Sequence, residues 1–217
     1  MYSKFLIVSG GSIADEFAQD WIRKYQPDFI IVADSGMEFM RRVALKPNMI
    51  IGDFDSVKED TLNFFKEQPG ILWKELNPVK DDTDTEFAIR QAIELGAEEI
   101  TVLGATGTRL DHVLGNVALL GIGLEEQVEM HLVDAHNRIR MIDKSMKLTK
   151  KEQFGNVVSL LPYSGEVKGV TLKGFKYPLE NHTMGCFSSL GISNEIVEEE
   201  AEIRFEEGIL VVIEARD

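Results

Sequence analysis

The chain has 217 residues and a formal charge of −14 from 23 basic and 37 acidic side chains, which excludes recognition of nucleic acid or an anionic membrane through a broad basic surface. Hydrophobic residues at 44% and charged residues at 28% describe an ordinary globular chain, long enough to bury a core and with no bias toward disorder. Cys186 is the only cysteine, so no internal disulfide can form and a reducing cytoplasm is the expected setting.

The chain opens with "MYSKFLIVSGG", whose apolar run is interrupted by Gly10 and Gly11 before it reaches the roughly 7–15 residues of a secretory signal. Short apolar runs then recur: 5–8, 29–33, 49–51, 71–73, 100–104 and 128–133. Between them lie segments such as 86–96, where Phe87, Ile89, Ala92, Ile93 and Leu95 keep most of a helical spacing. Continuous apolar strands alternating with helices predict βαβ units and a parallel sheet covered on both faces. After about residue 140 the rhythm changes. The stretches 156–162, 166–174 and 201–215 read as strands, and "AEIRFEEGILVVIEA" carries a hairpin signal at "EEG". The expected fold is therefore a parallel-sheet α/β domain over residues 1–140, followed by a small all-β domain over 141–217. The longest apolar stretches, "ILVVI" and "VALLGIGL", are too short to span a bilayer, and no membrane partner is expected.

In a parallel sheet, ligands bind beyond the carboxyl ends of the strands. The stretches at that edge are "SGGS" (9–12), "ADSG" (33–36), "GDFDS" (52–56), "KDDTDTE" (80–86) and "GATGTRLDH" (104–112). Some of this polarity is helix capping: Ser35 with Glu38, Ser56 with Glu59, and Thr83 with Glu86 all fit a capping box. Capping does not use Asp53, Asp55, Asp81, Asp82 or Asp84. Hard divalent cations such as Mg²⁺ take a few carboxylates and complete their shell with phosphate and water, so the spacing favours a metal over a merely solvated rim. A polyphosphate also needs cations near it. Lys80 and Arg109 stand at the right junctions, with backbone N–H groups around Gly104, Gly107 and Thr108 as further donors. Arg109 equally suits a local ion pair with Asp111. Cys186 reads as a small buried hydrophobe, and the four histidines show no zinc spacing.

"ADSG…KPNMIIGDFDSV", "KDDTDTEFAI", "GATGTRLDHVLGNVALL" and "GFKYPL…SLGISNE", in this order through essentially the whole chain, closely resemble the thiamine pyrophosphokinase family of the bacterial type. The resemblance implies transfer of diphosphate from ATP to the hydroxyl of thiamine, giving thiamine diphosphate and AMP, by a cytoplasmic homodimer with sites at the subunit interface. It assigns ATP and Mg²⁺ to the first, α/β domain and thiamine to the second, which the resemblance makes a β-sandwich. It implies Asp53, Asp55 and Asp84 as Mg²⁺ ligands, with Asp81 and Arg109 completing the catalytic set. Asp34, Ser35, Gly36, Lys80, Thr83, Thr108, Arg109 and Asp111 are implied for ATP. For thiamine it implies Tyr177, where some relatives carry Trp, together with Ser193 and Asn194, which by themselves also suit a β-turn. Asp81 and Asp111 both remain candidates for accepting the alcohol proton. The alternative is a thiamine- or nucleotide-binding regulator without catalysis.

Overall fold

The computed structural model describes residues 2–77 and 82–217, so Lys80 and Asp81 lie outside the described residues. The chain divides into two compact units, residues 1–135 and 136–217.

The first unit alternates strand and helix throughout: β1 (Lys4–Val8), α1 (Asp15–Tyr25), β2 (Phe29–Ala33), α2 (Gly36–Arg42), β3 (Met49–Gly52), α3 (Glu59–Lys66), β4 (Leu72–Glu75), α4 (Asp84–Glu94), β5 (Glu99–Leu103), α5 (Leu110–Glu126) and β6 (Glu129–Val133). Its strands pair in parallel in the order β4-β3-β2-β1-β5-β6. The apolar runs are continuous because the central strands are covered on both faces: Phe5, Leu6, Ile7 and Val8 are all fully buried. The chain builds outward from β1 to β4, then returns to the other side of β1 with β5. That reversal creates a topological switch point between β1 and β5, the place where an open α/β sheet leaves a crevice.

Capping differs from the sequence expectation at two of three helices. Thr83 caps α4 as predicted, accepting from Glu86 N at 3.2 Å. Ser35 makes no side-chain cap bond at α2. The helix after "GDFDS" begins later than its capping box implies, at Glu59, and Ser56 donates to Asp34 instead. Glu38 turns toward the next helix, accepting from Lys58 N at 3.2 Å and Thr61 Oγ1 at 3.1 Å. Ser56 and Glu38 thus each take a tertiary partner in place of the local one.

The second unit has two antiparallel sheets. One runs β7-β13-β9, from β7 (Asn137–Ile142), β13 (Leu210–Ala215) and β9 (Val157–Pro162). The other runs β11-β10-β12-β8, from β11 (Leu179–Gly185), β10 (Glu166–Lys173), β12 (Glu200–Arg204) and β8 (Met146–Thr149). Val158, Leu160, Leu210 and Val212 from the first sheet share one core with Val167, Val170, Leu172 and Ile203 from the second, which is sandwich packing. The expected hairpin at "EEG" does not form. β12 pairs with β10 and β8, whereas β13 pairs with β7 and β9. Both strands alternate as a hairpin would, but each faces the common core from a different sheet, and the turn carries the chain across. Cys186 is another correction: it is exposed, lying just past the end of β11.

The charged centre of this unit is Glu214, which is fully buried. Its carboxylate accepts from Arg138 Nε at 2.9 Å and Nη2 at 2.8 Å, from Arg140 Nη2 at 2.6 Å, and from Phe154 N at 3.1 Å. Burial pushes its carboxyl up, but the Arg138 and Arg140 contacts outweigh that and hold it below its ordinary value of 4.5.

Candidate active site

A cleft of about 530 Å³ opens at the carboxyl edge of the parallel sheet. Its floor is made where the loops after β1 and β5 are stitched together. Ser9 N donates to Leu103 O, Gly11 N to Gly104 O and Ser12 N to Thr106 O, each at 2.8 Å. Gly11 is required for this approach, since a Cβ there would sit 2.4 Å from both Gly104 O and Thr106 O. Two side chains pin the loop after β5 from behind: Asn116 Nδ2 donates to Ala105 O at 2.7 Å, and Thr106 Oγ1 to Asp134 Oδ2 at 2.8 Å. A Ser9–Thr85 hydroxyl contact at 2.9 Å ties in the start of α4. These anchors leave Gly107, Thr108 and Arg109 facing the cleft at the opening of α5, where unpaired helix N–H groups favour an anion.

The acidic wall comes from the loops after β2 and β3. Asp34 is left-handed at φ 43°, and its N–H donates to Ile51 O at 2.8 Å. Gly52 brings β3 close enough that a Cβ there would meet Asp34 Cα at 3.2 Å. Asp53 Oδ1 accepts from Asp55 N at 3.2 Å, with Phe54 between them at φ 65°. Carboxylate oxygens of Asp34, Asp53 and Asp55 come within 4.8 Å of one another. Asp34 Oδ2 accepts from Ser56, while its Oδ1 is buried with no hydrogen-bond partner among the described residues. Burial raises the Asp34 carboxyl above its usual range, Ser56 and the Ser35 N–H oppose that, and the charges of Asp84 and Asp53 raise it further. An unpaired buried oxygen beside two more carboxylates is the donor set a hard divalent cation takes.

The sequence-predicted residues fall into groups. Asp34, Asp53 and Asp55 converge, so the trio includes Asp34, expected with the nucleotide. Asp84 starts α4 and lines the same cleft outside that 4.8 Å grouping. Ser35, Thr83, Thr108 and Arg109 line the cleft, while Gly36 packs behind it, where a Cβ would lie 2.3 Å from Val8 O. Arg109 forks onto Asp111, Nη2 to Oδ2 at 2.5 Å and Nε to Oδ1 at 3.2 Å, holding that carboxyl down at about 2. Both side chains are well exposed, and such a pair holds its partners weakly. The guanidinium can therefore turn to a phosphate at little cost.

In the second unit, Asn194 is buried and its amide is committed to backbone. Its Oδ1 accepts from Tyr177 N and Glu195 N at 3.0 Å each, and its Nδ2 donates to Tyr177 O at 2.8 Å. It thereby fixes Tyr177, whose ring is 59% exposed with Lys176 Nζ 5.6 Å from its centroid. Ser193 is exposed and left-handed at φ 59°, with its N–H on Ser159 Oγ at 3.0 Å. Asn116 and Asp134 escaped the sequence expectation because only tertiary contacts give them a role. A polar Asn inside the apolar run of α5 was the one visible signal.

Residues 23–132 match the family model for the catalytic domain of thiamin pyrophosphokinase, and residues 145–210 match that for its vitamin B1 binding domain. The thiamine pyrophosphokinase of Bacillus subtilis (strain 168) is 33% identical over 188 residues, covering 86% of this chain and 87% of the relative. The chain belongs to the thiamin pyrophosphokinase family. Solved family structures share its architecture: that from Bacillus subtilis superposes with a TM-score of 0.88 at 32% identity, covering 98% of this chain and 99% of that one. The thiamin pyrophosphokinase from Geobacillus thermodenitrificans gives 0.84 at 32% identity, covering 98% and 97%. The match to the family's catalytic domain thus falls within the parallel-sheet unit that holds the acidic cleft, and the match to its vitamin B1 binding domain within the sandwich that holds Tyr177. Among the described residues no helix is long and apolar enough to cross a membrane.

Proposed function

We propose that this family member transfers diphosphate from ATP to the hydroxyl of thiamine, releasing AMP and forming thiamine diphosphate in the cytoplasm. The observation that carries the reading is the convergence of Asp53 and Asp55 on Asp34, which lines the same cleft as Gly107, Thr108 and Arg109. The alcohol oxygen forms a bond to the β-phosphorus as the bond to the oxygen bridging the α- and β-phosphates breaks. AMP leaves with that oxygen, and the alcohol proton is lost. Asp53 and Asp55, with Asp34 beside them and Asp84 at the start of α4, would hold Mg²⁺, which when bound neutralises charge on the polyphosphate. Arg109 and Lys80 stabilise phosphate oxygens, and Ser35, Gly36, Thr83 and Thr108 shape the nucleotide site. Asp81 and Asp111 are the two candidates for accepting the alcohol proton, and Asp111 is released for that role when Arg109 turns to phosphate. Tyr177 offers an aromatic face to the cationic thiazolium, Ser193 a hydroxyl, and Asn194 holds the tyrosine in place. Incubation with ATP, Mg²⁺ and thiamine should yield AMP only when thiamine is present. ADP in place of AMP would overturn the reaction while leaving the metal site standing.

The working form is a homodimer with substrate sites at the subunit interface. Supporting this, Leu110 and Leu114, one turn apart on α5 beside Arg109, are 72% and 69% exposed, and Phe187 in the second unit is fully exposed. Mixing an Asp55→Ala chain with a Tyr177→Ala chain should then restore part of the activity that each lacks alone. Absence of any recovery in verified mixed dimers would count against shared sites.

A further inference from the structure

We propose that Phe54, anchored by Trp73, is a positioning residue that sets the affinity of the Asp34–Asp53–Asp55 trio for its divalent cation, an inference that rests on the reading of that trio as the Mg²⁺ site. Neither side chain offers a lone pair that can coordinate a divalent metal ion. What Phe54 contributes is backbone geometry. Its φ of 65° lies in the left-handed region, which a bulky residue enters at a cost and keeps only where its surroundings fix it. Glycine is the residue that adopts such a turn freely, yet phenylalanine stands here, between two carboxylates that must be brought together.

Three contacts hold the strained residue. Val57 N donates to Phe54 O at 3.4 Å, and Asp55 N to Asp53 Oδ1 at 3.2 Å, closing a tight turn around it. The phenyl ring meets the Trp73 indole edge-on, with centroids 5.6 Å apart and planes at 76°. That is the favoured geometry of an aromatic pair, and its gain is comparable to the cost of the left-handed backbone. Trp73 lies on β4, opposite Ile50 of β3, so it is fixed by the sheet while Phe54 is not. The strand thus clamps the ring, the ring holds the turn, and the turn brings the Asp53 and Asp55 oxygens within reach of Asp34. With Phe54 in the ordinary extended region, the turn would open and Asp55 would swing away from the other two. The anchor also explains why "GDFDS" interrupts its acids with an aromatic residue: the same side chain that separates them in sequence closes them in space.

The test is direct binding of Mn²⁺ to the full chain without nucleotide, read from the electron paramagnetic resonance of the free ion, so that turnover plays no part. Phe54→Ala keeps the cost of the left-handed backbone but loses the anchor that offsets it, so the turn opens more readily and Mn²⁺ binding should weaken about tenfold. Phe54→Gly adopts the turn without strain and should recover part of that loss. Trp73→Leu keeps apolar cover on β4, removes the edge contact, and should weaken binding with Phe54 untouched. If Phe54 served only as apolar cover, glycine would be no better than alanine. The inference is overturned if the Phe54→Ala and Trp73→Leu chains bind Mn²⁺ as the parent does, or if Phe54→Gly binds more weakly than Phe54→Ala. Asp53→Asn separates the two levels of the argument. Undiminished binding there overturns the site reading, and this inference with it; loss there alongside parent-like binding by the Phe54 and Trp73 variants overturns the inference alone.

Discussion

Asp53→Asn should lower the rate of thiamine-dependent AMP formation by about 10²–10³-fold, the effect of removing one preorganised electrostatic group from a charge-transfer site, while leaving the free protein at least as stable as before. The substitution is close to isosteric. Asn retains an oxygen that can accept from Asp55 N, the 3.2 Å bond that shapes the turn, so the loop keeps its form. Only the charge is lost, from a group in which three carboxylates lie within 4.8 Å. Without a cation such a group repels itself, and its removal relieves the free protein. The two readouts should therefore move in opposite directions: initial rates at saturating Mg²⁺ fall, and the thermal unfolding temperature measured without Mg²⁺ stays level or rises. Protection by Mg²⁺ and ATP against unfolding, which follows from any ligand that binds only the native state, should be reduced in the same variant. A rate within a few-fold of the parent, or a loss of stability equal to the loss of rate, would remove Asp53 from the site.

The largest stability effect is expected far from any ligand. Glu214→Ala should cost about 3–5 kcal/mol, because breaking a buried ion pair from one side strands the opposite charges. The carboxylate satisfies four donors from three residues: Arg138 and Arg140 on β7 and Phe154 N ahead of β9. Arg138 stands directly across from Glu214 in the β7–β13 register, so the fork reinforces the pairing of those strands. Alanine would leave two guanidinium groups, only 21% and 14% exposed, without their counter-charge. The pH dependence follows from the sign of the shift. The folded carboxyl is depressed below 4.5, so its stabilisation is present above that value and lost as pH falls through the lower, folded one. Urea midpoints of parent and variant should therefore differ most near about pH 7 and draw together as pH falls below 4.5 and through the lower, folded value. A difference independent of pH would assign the cost to lost packing rather than to charge.

The parallel-sheet unit was legible because burial on both faces writes itself into sequence as unbroken apolar runs: "FLIV", "FIIVA" and "ITVL" become β1, β2 and β5 with little change at their ends. The carboxyl-edge rule then located the cleft without side-chain detail. Pairing partners were less legible. Ile203 and Phe205, then Ile209, Val211 and Ile213, alternate as a hairpin would, and alternation cannot distinguish a strand that folds back from one that crosses a sandwich. Capping boxes failed where a tertiary partner outbid the local one, as with Ser56 on Asp34 and Glu38 on Thr61. The grouping of Asp34 with Asp53 and Asp55 is a register effect. Ala33 faces Ile51 across β2 and β3, so the residues that follow must meet, but only pairing in register makes that visible. The roles of Asn116 and Asp134 are purely tertiary, a side chain reaching a loop from a helix or a neighbouring strand end.

The most direct measurement uses ATP labelled with phosphorus isotope in the α or the γ position, incubated with Mg²⁺, thiamine and the full chain, with products separated by chromatography. Diphosphate transfer in one piece sends γ label into thiamine diphosphate and keeps α label in AMP, with the two products formed one for one. Label from the γ position appearing in thiamine monophosphate alongside ADP, or as free phosphate, would contradict it.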